Sequence, residues 1–284
     1  MSEIYLTVKD LQVESCNVST TYLTNAFPTA ALIGLIDNFR YQLSQSNHDW
    51  ANDIVEGSKS KAFAIVKTYS ENAGKKGISA YAKVGGAAHK KTPTTELQIA
   101  EATGNLSATL VFALEVDEDF DDDIALRKAF SRFMKRARFA GGRILPLDET
   151  QIDIATSLDK LKERLAYERG WCATPAYELF DAEASEIGAF EAMQSFAFTF
   201  KKVIKEKTIW YRKHPGWLFF TLQGYQFLES PAERAGVRGG YPHVLTEPVI
   251  SLNQLKYFRE SELENLFWCW KEHPDALELV ACNA

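Results

Sequence analysis

From Ile4 to Leu145 the apolar residues repeatedly change period, and the order of those changes limits the fold more than any single motif does. Ile4, Leu6 and Val8 alternate as in a strand, and Leu11 and Val13 resume the alternation after a shift. In AFPTAALIGLIDNFRYQLSQ, Pro28 suits the first turn of a helix, and Leu32, Leu35, Ile36, Phe39 and Leu43 recur at helical spacing. AFAIVKTY and LSATLVFALEV read as two further strands. The acidic run EVDEDFDDD then leads into a helix expected over 122–139, where carboxylates complement the positive end of the helix dipole. AGGRILP ends it, with Gly141 and Gly142 as stop residues and Arg143-Ile144-Leu145 starting another short strand. Strand, helix, strand, strand, helix, strand is the order of a βαββαβ unit, so the expected class is α+β with a ferredoxin-like, RRM-like core.

That core is expected over residues 1–147. Inside it, SENAGKKGISAYAKVGGAAHKKTP has no sustained period and reads as a long basic loop or hairpin over 70–93. Residues 148–213 are mainly helical in pattern, with Pro175 and Gly188 as breaks, and are expected to be a helical insertion. Over 214–284 the chain returns to β character in GWLFFTLQGYQFL and HVLTEPVISL, completing the core. SELENLFWCWKEH is expected to be a closing helix before Pro274.

The net charge is −6, from 32 basic and 38 acidic residues, which argues against nucleic-acid binding until the distribution is considered. Residues 67–91 hold six lysines and one acid, and residues 127–143 hold seven basic residues and no acid. On a helical wheel Leu126, Ala129, Phe130, Phe133, Met134 and Ala137 gather on one side, with Arg127, Lys128, Arg132, Lys135, Arg136 and Arg138 opposite. The helix therefore offers a positive stripe, and a phosphate backbone responds to local potential. Candidate phosphate contacts are Lys75, Lys76, Lys83, His89, Lys90 and Lys91 on the loop. At the helix and turn they are Arg132, Lys135, Arg136, Arg138 and Arg143.

Other chemistry finds little support. Cys16, Cys172, Cys269 and Cys282 lie far apart without a CxxC pair, which encodes neither a zinc site nor a disulfide scaffold. The five histidines occur without HExxH or GxSxG, so no catalytic residue, metal or cofactor is expected. His89 is the best candidate should the chain be a metal-independent endoribonuclease. RAGVRGG is either a tight turn or a backbone approach to phosphate anchored by Arg234 and Arg238. Of Trp210, Tyr211, Trp217, Phe219 and Phe220, most belong to a core, and one or two could stack on splayed bases. Phe267, Trp268 and Trp270 are candidates for a partner-facing surface, with core packing as the plainer reading. No apolar run reaches the ~18–20 residues that cross a bilayer, and the N-terminus lacks a signal peptide's pattern, so a soluble cytoplasmic protein without membrane contact is expected.

Three stretches carry a family resemblance: NAFPTAALIGLIDNF (25–39), RFAGGRILP (138–146), and HPGWLFFTLQGYQFL (214–228) with the following YPHVLTEPVISL. In order and spacing the chain resembles the Csy-two family, the Cas-five-type subunit of type I-F CRISPR surveillance complexes. The resemblance implies a RAMP-type, ferredoxin-like fold with a helical insertion and a thumb-like hairpin at 70–93. It implies a non-catalytic subunit that holds the 5′ handle of the CRISPR RNA beside a Cas-seven-type backbone subunit and a large subunit. In a minimal variant lacking a large subunit, the same chain would also contact target DNA near the PAM. A RAMP endoribonuclease processing precursor RNA is the alternative. The chain is somewhat short for the family, and RAGVRGGYPHVLTE stands where a segment richer in Arg, Asn and Asp is expected.

Overall fold

The computed structural model describes the chain apart from residues 1, 18, 21–22, 25–27, 47–49, 52–53, 55–58, 72–79, 83–96, 100–102, 119, 198, 205–206, 215, 237–241 and 283–284. In chain order the elements are β1 (Ser2–Asn17), the short β2 (Ser19–Thr20) and β3 (Leu23–Thr24), α1 (Thr29–Ser44), β4 (Lys61–Glu71), β5 (Ala80–Ala82), β6 (Leu97–Ile99) and β7 (Thr103–Val116). They continue with α2 (Asp123–Met134), β8 (Arg138–Phe139), β9 (Gly142–Ile144), β10 (Ile152–Ala155), α3 (Leu158–Leu165), β11 (Trp171–Pro175), α4 (Tyr177–Ile187) and α5 (Ala189–Ala197). The last are β12 (Thr199–Ile204), β13 (Lys207–Arg212), β14 (Trp217–Phe227), β15 (Thr246–Tyr257), β16 (Trp268–His273) and β17 (Ala276–Ala281).

The architecture is mixed α/β, built on an 11-stranded antiparallel sheet. Its first part runs β10-β1-β7-β4. The phase shift legible in β1 has a structural cause. Pairing with β7 slips between Val8 and Leu11 and again between Val13 and Cys16, with Asp10 and Ser15 at φ 53°. Each slip is a β-bulge, which keeps Leu11, Val13 and Cys16 on the buried side while the strand bends.

Helices α1 and α2 pack side by side on one face. Phe39 meets Phe130 edge-on at 4.8 Å and Phe133 at 5.3 Å, above Leu6, Leu110 and Phe112. The opposite face buries Tyr5, Phe63, Ile65 and Val111 under Leu161 and Leu165 of α3 and under Leu266 and Phe267. Both faces of the central strands are thus dry, which explains why β7 reads as an apolar run without alternation.

Strand β4 is shared with a second assembly. It pairs with β11 through Val66 and Trp171 and with β16 through Ala62 and Trp268. Since β11, β15, β14, β17 and β16 pair in turn, six strands close into a ring. Closure leaves this part without a free edge.

The closing helix expected at 261–273 is replaced by a one-turn 3-10 helix (Leu263–Asn265) and strand β16. The partner hairpin strand β17 is what the sequence pattern hides. Once it is in place, Trp268 is 2% exposed and its Nε1 donates to Ala173 O at 3.1 Å, while Phe267 is fully buried on the other face. Phe267 and Trp268 are therefore core, not partner surface. Residues 148–213 contribute α3, α4 and α5, but also β10 and β11 to the main sheet and the separate β12–β13 pair. Helix α2 ends at Met134, short of 139, because residues 138–144 fold as a hairpin against β1.

Candidate nucleic-acid interface

The apolar side of α2 anticipated from the wheel is buried at Leu126, Phe130, Phe133 and Met134. Arg127, Lys128, Arg132, Lys135, Arg136, Arg138 and Arg143 are exposed. Arg127 approaches Asp153 at 3.9 Å, and Asp153 also pairs with Arg164, so the start of the stripe is partly neutralised. Farther along, no described carboxylate lies in ion-pair range of Arg132, Lys135, Arg136, Arg138 or Arg143. Arg132 Nε donates to Lys128 O at 3.3 Å and Arg138 Nη1 to Gly141 O at 3.3 Å. Lys135, Arg136, Arg138 and Arg143 line an open cleft of about 430 Å³ together with Met134, Ala137, Ile144, Leu145, Pro146 and Leu147. Four cations with no ion-pair partner among the described residues, set among apolar lining residues, have the charge to attract a polyanion.

The β8–β9 hairpin that carries Arg138 and Arg143 borders a second cleft with its tip. Ala140 (φ 47°) and Gly141 (φ 75°) make the turn. Asn17 N donates to Ala140 O at 2.7 Å, and Leu145 N donates to Gln12 O at 2.9 Å, fastening the hairpin to the bulged end of β1. The second cleft is about 400 Å³ and is lined by Asn17, Pro28–Ala31, Ala140, Gly141, Thr221, Leu222, Tyr225 and Pro248. The first turn of α1 enters it with no acidic residue and no side-chain cap from Pro28. Such a helix start favours an anion. The small side chains of Ala30, Ala31, Ala140 and Gly141 let a ligand come close to the backbone.

The three family-like stretches, far apart in the chain, meet here: Pro28–Ala31 from the first, Ala140 and Gly141 from the second, Thr221, Leu222 and Tyr225 from the third. Pro248 comes from the YPHVLTEPVISL part of the third stretch, and Asn17 joins them as the one lining residue that only the fold could have nominated. Arg234 is not part of either cleft. It pairs with Glu229, whose Oε1 also accepts from Leu245 N at 2.8 Å, as an internal tie in the β14–β15 connection. Lys75, Lys76, Lys83, His89, Lys90, Lys91 and Arg238 lie outside the described residues. Of the 70–93 segment, β5 is described, paired with β6, and the flanking strand ends are adjacent at Glu71 and Gly104.

One arrangement has the residue types of a hydrolytic triad. His214 Nε2 lies 3.2 Å from Ser195 Oγ and 3.8 Å from Glu183 Oε2. A triad histidine needs one nitrogen for the hydroxyl and the other for the carboxylate, whereas here a single nitrogen faces both. Ser195 Oγ donates to Ala192 O at 2.8 Å, and the His214 ring stacks on Phe196 at 3.9 Å. The cluster fastens the end of β13 to α4 and α5.

A cationic cleft and a small-residue cleft share the walls of one hairpin, in a mixed α/β protein whose antiparallel sheet carries two helices on one face. Residues 6–280 match the family described as CRISPR-associated protein (Cas_Csy2), and the chain belongs to that family. It is thus a subunit of a CRISPR effector complex. No curated protein matches the chain. No helix among the described residues is long and apolar enough to cross a membrane.

Proposed function

We propose that the chain is the guide-holding subunit of a type I-F CRISPR surveillance complex, working in the cytoplasm as a non-catalytic RNA-binding scaffold. It takes the 5′ handle of the CRISPR RNA, caps a filament of Cas-seven-type subunits and, with a large subunit where one exists, supports recognition of target DNA near the PAM. The observation that carries this reading is the convergence of the three family segments on the cleft that adjoins Lys135, Arg136, Arg138 and Arg143. The strand order β10-β1-β7-β4 with both crossover helices on one face supports a ferredoxin-like, RAMP-type core. The cationic cleft neutralises phosphates. The first turn of α1 and the hairpin backbone hold the handle's end.

The test is guide-RNA affinity of the assembled complex across a salt series, comparing the parent with a variant in which Lys135, Arg136, Arg138 and Arg143 are all replaced by alanine. For single strands the slope of log affinity against log salt changes by about 0.7 per phosphate contact, so the variant should flatten it by about 2–3. An unchanged slope, with loss of binding to the protein partners instead, would assign the cleft to protein contacts.

A further inference from the structure

Strand pairing brings together two cysteines that no CxxC spacing joins. In the β16–β17 hairpin Trp268 is opposite Ala281 and Cys269 is opposite Val280. The pairing continues past β17, where Cys282 N donates to Phe267 O at 2.8 Å. Cys282 therefore sits across from Phe267, and alternation puts Cys269 and Cys282 on one face as diagonal neighbours. Their side chains are hydrogen-bonded to each other. Cys269 is buried and Cys282 half-buried, so the pair opens to solvent on the Cys282 side. Its surroundings are ionic as well as apolar. Lys59 and Lys61 act on Cys269, and Lys61 and Glu3 act on Cys282. Glu3 is itself fixed, accepting from Lys61 Nζ at 2.9 Å and from Tyr5 Oη at 2.6 Å. The hydrogen bond from Cys282 holds the Cys269 thiol down to about 7, with smaller help from Lys59 and Lys61. Cys282 is pushed up by the same hydrogen bond and by burial. Near neutral pH the pair thus presents a thiolate with a thiol beside it, the arrangement of an attacking and a resolving cysteine. Cys16 and Cys172 are the contrast, since both are buried and burial pushes both thiols up.

We propose that Cys269 and Cys282 form a redox-reactive dithiol that a hydroperoxide oxidises to an intramolecular disulfide. One sulfur attacks a peroxide oxygen and the O–O bond breaks. The other oxygen leaves with a proton as an alcohol, or as water from hydrogen peroxide, and the attacking cysteine becomes a sulfenic acid. The second sulfur then displaces the hydroxyl, which takes that thiol's proton and departs as water while the S–S bond forms. Two thiols are oxidised by two electrons in all, and one hydroperoxide is reduced. Diagonal neighbours on paired strands lie about 7–8 Å apart, just beyond the roughly 4.4–6.8 Å between Cα atoms that a disulfide spans. Closure therefore draws Cys282 toward β16, which its position past the end of β17 allows. The bond ties this end of the hairpin to the strand that meets β4 at Trp268 and Ala62, and so fastens the ring at that seam. It lies open to solvent at Cys282, where thiols reduce it again, as a reversible device in a reducing compartment requires.

The experiment treats the full chain, in the assembled complex, with hydrogen peroxide, then unfolds it, alkylates the remaining thiols and maps the peptides by mass spectrometry. A peptide pair joined through Cys269 and Cys282 should appear, and dithiothreitol should abolish it. Cys16 and Cys172 should be recovered as alkylated thiols. In Cys282→Ser the joined pair should vanish, and dimedone should trap a sulfenic acid at Cys269. Recovery of Cys269 and Cys282 as alkylated thiols, at a peroxide dose that oxidises free glutathione, overturns the proposal. Oxidation of Cys282 to a sulfinic acid without the link overturns it, as does a link made only between two chains on a non-reducing gel. Equal oxidation of Cys16 or Cys172 also overturns it. None of these outcomes bears on the guide-holding reading, which fails through the α2-cleft variant keeping its guide affinity and slope.

Discussion

Gly142 of β9 lies so close to β1 that a Cβ on it would come within 2.6 Å of the Cys16 backbone. Cys16 is fully buried, and its thiol donates to Gly104 O at 3.2 Å, so neither backbone can retreat. The contact sets the β8–β9 hairpin against the second bulge of β1, and the hairpin forms a wall of both clefts. A glycine expected to stop a helix instead makes this close approach possible.

Gly142→Ala should therefore cost about 1–3 kcal/mol in denaturant unfolding, the usual penalty for overpacking. It should also weaken guide RNA binding at constant salt slope, because the cations remain while their positions shift. Parent-like unfolding would show that the hairpin is not held at Cys16.

Asn253 is fully buried in β15, opposite Phe219 and Pro175, and neither side-chain polar atom has a partner among the described residues. An unpaired buried amide costs about 1–3 kcal/mol. Asn253→Leu, similar in volume, should raise the unfolding midpoint, with a gain of about 1 kcal/mol in denaturant titration. A fall in stability would mean that the amide makes hydrogen bonds within the folded chain that outweigh its desolvation.

Glu183 is held below its ordinary carboxylate range by the Lys213 ammonium and, to a smaller extent, by His214. A carboxyl lowered in the folded state stabilises the fold above its unfolded pKa, and that contribution disappears as pH falls through the folded value. Glu183→Gln should melt below the parent at neutral pH, and the two curves should converge in acid. A difference that persists well below pH 4.5, the unperturbed value, would exclude this ion pair as the cause.

The amphipathic periods of α1 and α2, the bulged strand β1 and the charge segregation of α2 were all legible in the residues, because each depends on neighbours within a few positions. The end of α2 was not. Arg138–Phe139 and Gly142–Ile144 leave the helix because β1 offers hydrogen bonds to that segment, and β1 lies more than 100 residues earlier in the chain. Likewise SELENLFWCWKEH has apolar residues compatible with a helix, and β17 and β4 decide otherwise. Arg234, in a glycine-rich segment suited to phosphate, is tied to Glu229.

By itself, the sequence determined the first strand, the helices α1 and α2 up to their ends, the cationic stripe and the family segments, since hydrophobic period and charge spacing are properties of short windows. Tertiary structure alone decided that β4 joins the two parts of one sheet, that Pro28, Gly141 and Tyr225 share a cleft, and that β12 and β13 pair apart from the main sheet. Strand pairing and ring closure join residues at long range through backbone hydrogen bonds, which every residue but proline offers equally. Such pairing leaves no signature at either partner until the other is in place.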